Sequence, residues 1–377
     1  VELRPRALEE LGMSDGFWRG RRVFLTGHTG FKGAWLSLWL RHLGADVTGY
    51  SLAPPTEPSL FALAGLEGRM SSIEADIRDA TRLRTALVQA RPEVVFHLAA
   101  QALVRRSYAD PAETFSSNVM GTVHLLDAVR ACDTVRGVVV VTSDKCYENR
   151  GLERGYLEDD PLGGHDPYSS SKACTELVAA AYRRSFCSDD VAIATARAGN
   201  VIGGGDWAAD RLVPDMVGAF AAGTPVRIRN PEAVRPWQHV LEPLAGYLLL
   251  AESLVVQGQR HACGWNFGPD ADATATVRTV AELAVRAWGT GAAWVGDPGP
   301  HPHEAHVLML DASRARAALG WAPRLTLGQA VADTVEWYRA QAGGADAASL
   351  CLEQIARYGA PAPVGAAATD PRPGVPA

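Results

Sequence analysis

Along the first 200 residues, short apolar runs rich in β-branched side chains alternate with longer stretches of helical periodicity. The runs are Arg22 to Thr26, Asp46 to Tyr50, Ser72 to Ala75, Val94 to Leu98, Val138 to Thr142 and Val191 to Arg197. Between them lie amphipathic segments, Phe31 to Leu43, Asp79 to Ala90, Ala112 to Arg130 and Tyr168 to Phe186, each long enough for a right-handed crossover helix. This alternation predicts an α/β fold built on a doubly wound parallel sheet. From Gly203 onward the rhythm breaks into shorter segments punctuated by glycine and proline, as expected of a smaller C-terminal lobe laid over the carboxyl edge of the sheet. Trp265 to Gly268 is expected to return a strand to the main sheet.

Composition narrows the function classes. The chain has 377 residues, 47% hydrophobic and 21% charged, which suits one large α/β body or two packed units. With 36 Lys and Arg against 42 Asp and Glu the net charge is -6, too acidic for a protein whose main work is neutralising nucleic-acid phosphates. No apolar run reaches the roughly 18 residues of a membrane span. The N-terminal residues lack the apolar core and cleavage site of a secretory signal, so a cytoplasmic location is expected. Six scattered cysteines without a Cys-x-x-Cys pair suit reduced, packed thiols better than a disulfide or zinc framework.

Two constellations carry chemistry. Gly27-His28-Thr29-Gly30-Phe31-Lys32-Gly33 follows an apolar strand and opens a helix. There glycines permit the tight turn, and main-chain amides at a positive helix end can meet a pyrophosphate. Its spacing, Gly-x-x-Gly-x-x-Gly, is a variant of the dinucleotide fingerprint. The acidic residue usually found about 20 residues on, against the adenosine ribose, is missing: Gly49-Tyr50-Ser51-Leu52 stands there, leaving NAD and NADP both open. Asp76 and Ile77 follow the third strand, where Asp76 is suited either to the adenine side or to a turn leading to a helix cap at Asp79. Leu98, Ala99, Ala100 and Gln101 close the fourth strand, with small residues where a cofactor would lie along the backbone. The second constellation is Tyr168-x-x-x-Lys172, whose spacing places phenol and ammonium on one helix face, 25 residues after Ser143 at the end of the fifth strand. A nearby cation and the positive nicotinamide of a bound dinucleotide favour phenolate, and bringing a phenol from about 10 toward neutrality takes roughly 4 kcal/mol. Tyr168 is then a base and Ser143 shares a hydrogen bond with the same substrate hydroxyl.

Glycine turn, Ser143 and Tyr-x-x-x-Lys together resemble the extended short-chain dehydrogenase/reductase superfamily, Rossmann-like in fold. Thr142-Ser143-Asp144-Lys145-Cys146-Tyr147, Gly163-Gly164-His165-Asp166-Pro167-Tyr168, Gly203-Gly204-Gly205-Asp206-Trp207 and Arg235-Pro236-Trp237-Gln238-His239-Val240 are similar to the CDP-glucose group of sugar-nucleotide 4,6-dehydratases, over roughly residues 17 to 358. The resemblance implies an N-terminal extension over 1–20 and a dinucleotide-binding domain over 21–200 with returning segments from 234–268. A sugar-nucleotide lobe over 201–358 and a disordered Pro/Ala-rich tail over 359–377 complete the expected organisation.

The same resemblance implies a lyase acting on CDP-glucose with NAD. Tyr168 takes the proton of the 4-hydroxyl as hydride leaves carbon 4, Asp144 protonates the departing 6-hydroxyl, and the hydride returns to carbon 6. Lys145 stands where the dTDP-glucose enzymes carry glutamate, as a base at carbon 5 or as a charge that stabilises the enolate. Gly27 to Lys32, Asp76, Ile77, Leu98 to Ala100, Tyr168 and Lys172 are expected on the cofactor. Gln101, Asn200, Arg211, Leu212, Arg235 and His303 are expected on the substrate, with arginines meeting its diphosphate. Pro300 to His306 reads as a substrate-covering loop and no metal is implied, since the reaction needs no Lewis acid. A homodimer or homotetramer is expected. A 4-epimerase or reductase, a 4,6-dehydratase for another nucleotide sugar, and an idle dinucleotide-binding scaffold are the alternatives.

Overall fold

The computed structural model describes residues 13–14, 16–187, 190–269, 274–297, 299 and 308–360. Six strands, β1 (Arg22–Thr26), β2 (Asp46–Ser51), β3 (Ser71–Glu74), β4 (Val94–His97), β5 (Gly137–Val141) and β6 (Ala192–Ala198), are joined by the returning strand Gly264–Phe267. All run parallel, in the order returning strand, β6, β5, β4, β1, β2, β3. The inner strands β1, β4, β5 and β6 are buried almost throughout because both faces of a parallel sheet are covered, whereas the edge strand β3 is mostly exposed. Alternate side chains go to opposite faces: Val23, Leu25, Val139 and Val141 join one core, Phe24, Val138 and Val140 the other. Chain order reverses between β1 and β4, and a crevice outside the carboxyl ends of these strands is where ligands bind in such sheets.

The crossover helices follow the expected segments with local differences. Helix Phe31–His42 is buried from Gly33 to Leu40 because the sheet covers one side and helix Ala347–Gly359 the other, with Trp39 edge-on to Tyr358. Ala80–Ala90 begins after Asp79, whose carboxylate caps the helix by accepting from the Arg82 N–H. The single helix expected over Ala112 to Arg130 is instead Pro111–Phe115, a π-helical turn Ser116–Met120 and Gly121–Arg130, preceded by a short helix Val104–Ala109 that periodicity did not show. Catalytic candidates Tyr168 and Lys172 lie on the 19-residue helix Pro167–Ser185, capped by Asp166 with Pro167 in its first turn.

Beyond β6 the chain builds three small two-stranded pairings among the described residues and the helices Leu212–Ala221, Leu241–Gln257, Val277–Trp288, Ser313–Leu319, Leu327–Ala342 and Ala347–Gly359. These do not have a core of their own: Trp35 and Trp39 of the first crossover helix share one apolar cluster with Trp337, Tyr338 and Ile355. Gly203 to Gly205 is where the two parts meet. A Cβ on Gly204 would lie 2.1 Å from the Trp337 ring, and the Gly204 carbonyl accepts from the Trp35 indole at 2.8 Å. Met13 and Trp18, ahead of β1, are also buried in this cluster. Gly359 is buried and ends a helix, so the tail expected from 359 cannot include it, and 361–377 lie outside the described residues.

Candidate functional site

At the switch point Gly27 takes φ +78°, and a Cβ there would sit 2.6 Å from the Ala99 amide nitrogen at the exit of β4. Gly33 is as constrained, since its Cβ would fall 2.0 Å from the Gly27 carbonyl oxygen. Gly30 differs: the nearest atom to an added Cβ is 3.5 Å away. Its freedom from side chain faces the open side of the turn, at a helix start with no capping side chain and no acidic residue in its first turn. Such a cradle fits a dinucleotide pyrophosphate, which needs close main-chain approach and a positive helix end.

Side chains around the turn are arranged differently from the expectation. His28 is buried; its Nε2 is 2.7 Å from Ser72 Oγ and its ring lies under Gly49, where a Cβ would come within 2.3 Å. Burial pushes its pKa down to about 4, so a neutral imidazole packs the turn and only its main chain remains for a cofactor. Thr29 Oγ1 reaches Ser51 Oγ at 2.8 Å and the Leu52 carbonyl at 2.9 Å, tying the turn to the end of β2. Asp76 is held by Arg78 through Nε and Nη2, so its carboxylate is engaged with a neighbour, while Ile77 packs into the core against Gly121. Leu98 and Ala99 donate their N–H groups to the Thr26 carbonyl and hydroxyl, which aligns the end of β4 with β1; Ala100 follows half-buried. Gln101, expected on the substrate, has its amide bonded to Leu103 and Thr114, which orders the loop it stands in.

The candidate reacting groups converge at the end of β5. Ser143 donates to Asp144 Oδ1 at 3.0 Å and accepts from the Lys145 N–H at 3.2 Å, closing the turn. Asp144 is 2% exposed, and its Oδ2 is buried without a partner. Burial raises its pKa against the opposing charges of Lys145, Arg235 and Lys32, so it is built to keep a proton longer than an ordinary carboxylate. Burial pushes the Tyr168 phenol up to about 12, outweighing the nearby Ser143 hydroxyl, which favours the phenolate. Lys172 donates to the Val141 carbonyl at 3.1 Å and burial lowers its pKa to about 8. Of the two charges expected to favour the Tyr168 phenolate, a nearby cation is not enough: within the chain alone burial outweighs the Ser143 hydroxyl and the charge of Arg211, which leaves the positive nicotinamide as the other expected source. Lys32 is half-buried and its pKa falls to about 7, through burial and then the charge of Arg211.

On the lobe side Arg211 pairs with Asp206 at 3.1 Å, Leu212 opens the helix Leu212–Ala221, and Asn200 lies opposite Trp237 in a parallel pairing. Arg235 is buried, donating to the Val234 carbonyl at 2.8 Å with its charge felt at Asp144. His303 and the Pro300 to His306 loop lie outside the described residues. Among the described residues no cluster of three His, Cys, Asp or Glu side chains is placed to hold a metal.

Asn118 was not anticipated. It sits at the π-helical turn, where its side chain bonds the Gln101 main chain in both directions and the Ser171 hydroxyl, and its carbonyl accepts from Thr122 and Thr175. A polar residue inside an amphipathic stretch was its only sequence signal.

A hydride-transfer type of Rossmann-like enzyme, with an acid beside the Ser-Tyr-Lys group, is the class that this fold and site define. The family model described as GDP-mannose 4,6 dehydratase matches residues 24–334, and the chain belongs to that family. Among curated relatives, the CDP-glucose 4,6-dehydratase of Salmonella typhimurium is 51% identical over 352 residues, covering 92% of this chain and 98% of the relative. A dTDP-glucose 4,6-dehydratase of Xanthomonas campestris is 27% identical over 83% of this chain and 92% of its own length. The solved dTDP-glucose 4,6-dehydratase of Streptomyces venezuelae, with NAD bound, superposes with a TM-score of 0.72 at 25% identity, covering 87% of this chain and 99% of that one. The UDP-glucose 4-epimerase of Stenotrophomonas maltophila, at 23% identity and a TM-score of 0.76 over 86% of this chain and all of that one, shares the fold.

Proposed function

We propose that the chain dehydrates CDP-D-glucose to CDP-4-dehydro-6-deoxy-D-glucose, with NAD as a recycled cofactor, in deoxysugar biosynthesis. The observation that carries this reading is the buried, unpartnered Asp144 Oδ2, on an acid whose other oxygen accepts from Ser143, next to the Tyr168 phenol that Ser143 favours as phenolate. An epimerase or reductase must move hydride at carbon 4 but has no hydroxyl to expel. NAD, when bound, would supply the hydride acceptor for carbon 4 and the hydride donor for carbon 6. Tyr168 holds the 4-hydroxyl and accepts its proton, with Ser143 orienting the same oxygen. Asp144 delivers a proton to the departing 6-hydroxyl. Lys145 deals with the proton on carbon 5, either removing it or stabilising the enolate charge that its removal leaves. Gly27 to Lys32 and Leu98 to Ala100 line the dinucleotide, while Asn200, Arg211, Leu212 and Arg235 hold the sugar nucleotide.

The 51% identical relative supports CDP-glucose over other nucleotide sugars. Incubation with CDP-, dTDP-, UDP- and GDP-glucose tests it: the CDP compound yields a product lighter by one water, with carbon-4 deuterium transferred to carbon 6. Unchanged mass with inverted carbon 4, or preference for another base, would refute the reading.

Residues 21–200 with segments from 234–268 serve the dinucleotide in this reading, and 201–358 the sugar nucleotide. Cytoplasmic action accords with six cysteines that are all unpaired. A homodimer or homotetramer accords with Tyr108, Phe115, Met120, Leu177 and Phe186, large apolar side chains left exposed on adjoining helices. Light scattering in solution decides the assembly; a monomer at micromolar concentration would exclude it.

A further inference from the structure

Helix Pro167–Ser185 carries a third polar residue on the face of Tyr168 and Lys172: Glu176, four residues on and 3% exposed. Both its oxygens are fully used. Oε1 accepts from Thr142 Oγ1 at 2.5 Å and Arg197 Nε at 2.9 Å; Oε2 accepts from Thr195 Oγ1 at 2.6 Å and Arg197 Nη2 at 2.8 Å. Arg197, itself buried on β6, donates through Nη1 to the Tyr147 hydroxyl at 2.6 Å and the Glu158 carbonyl at 2.9 Å. Tyr147 in turn donates to Asn266 on the returning strand at 2.7 Å.

The sequence positions of these partners give the network its meaning. Thr142 immediately precedes Ser143, and Tyr147 lies two residues after Lys145. One buried ion pair thus grips the Ser143-Asp144-Lys145 turn at both ends and fastens it to the helix that bears Tyr168 and Lys172. Packing alone would be served as well by apolar residues, since a buried ion pair contributes little net stability over a hydrophobic replacement. Its bidentate geometry does provide a fixed distance and angle between two elements.

We propose that Glu176 and Arg197 are positioning residues for the dehydration, holding the Ser143-Asp144-Lys145 turn in register with Tyr168 through Thr142 at one end and Tyr147 at the other. The inference rests on the dehydratase reading given above. The Glu176 carboxylate also keeps Lys172 more basic than burial alone would leave it.

Removing Glu176 or Arg197 strands the partner's charge in the core and risks unfolding, so the test uses the two grips. Thr142→Val and Tyr147→Phe each delete one hydroxyl while Glu176 and Arg197 keep their remaining bonds. Each variant is expected to keep KM within about threefold and lose about tenfold or more in kcat, since misplacement near an ångström costs rate more than binding. Thr142→Ser, which restores the hydroxyl, recovers wild-type kcat. In rapid mixing, Thr142→Val slows the rise of reduced-nicotinamide absorbance, because Ser143 adjoins that grip. Tyr147→Phe lets the absorbance accumulate, because the Asp144-Lys145 side is loosened. Wild-type kcat in both variants, or a Thr142→Ser as impaired as Thr142→Val, would overturn the proposal; so would losses matched by the fraction unfolded in a melt. A wild-type protein inactive on CDP-glucose would instead defeat the substrate reading.

Discussion

Tyr168 and Asp144 are both buried, and burial raises the pKa of each, with opposite consequences for their proposed roles. An acid benefits, since Asp144 keeps its proton for a leaving hydroxyl; a base suffers, since a phenol near 12 must be brought down before it can accept one. Positive charge brought by the cofactor is the remaining source of that lowering, because Lys172 is directed at the Val141 carbonyl. The two residues then control different halves of the reaction. Tyr168→Phe is expected to block loss of the carbon-4 hydrogen outright, whereas Lys145→Ala retains substrate binding and stalls at carbon 5. Mass spectrometry in heavy water checks this, because wild-type product acquires one solvent deuterium at carbon 5. Were Lys145→Ala to form labelled product at the normal rate, its assignment to that carbon would be wrong.

At the scale of the element, the glycine turn separates stability from binding. Gly27 and Gly33 are required by the fold, one for a positive φ and both for contacts below 3 Å from any added Cβ. Gly30 has room within the protein, so its substitution meets resistance only when a ligand arrives. Gly30→Ala is therefore expected to melt within about 1 °C of wild type yet bind dinucleotide about tenfold more weakly, while Gly27→Ala loses several degrees. Differential scanning fluorimetry with and without NAD reads both quantities. Equal affinity of Gly30→Ala and wild type would place the pyrophosphate elsewhere.

For the whole molecule, histidines buried in neutral form stand in separate places: His97 on β4 of the main sheet, His28 in the glycine turn and His239 on a strand of a two-stranded pairing. Burial lowers the pKa of His97 and His239 to about 3 and that of His28 to about 4. The unfolded chain protonates each near its ordinary value of about 6.5, so their contribution is complete above that pH and is lost as pH falls toward the folded values. Each such histidine costs about 1.4 kcal/mol per pH unit across that window. Asp144, Glu158 and Glu242, raised by burial, bind protons in the folded state first and so oppose the trend. His97→Gln isolates one histidine. Its urea-melt stability gap to wild type should narrow by about 1.4 kcal/mol per unit from pH 6.5 down to 4.5, and a constant gap would contradict the buried neutral state.

What the sequence by itself determined were the features written in local spacing: six strands within a residue or so of their observed ends, the turn at Gly27 to Gly33, and Tyr168 and Lys172 one helical turn apart. Strand periodicity, glycine placement and an i, i+4 pair depend on neighbours in the chain, so they can be read from it. Tertiary structure alone decided which polar groups were already engaged. His28 was drawn under Gly49, Asp76 onto Arg78 and Gln101 into its own loop, while Thr142, Tyr147 and Arg197 were gathered around Glu176. The pairings around Glu176 join β5, β6 and the helix Pro167–Ser185, and a buried polar atom takes whichever partner the packing brings within reach, since leaving it unpaired is costly.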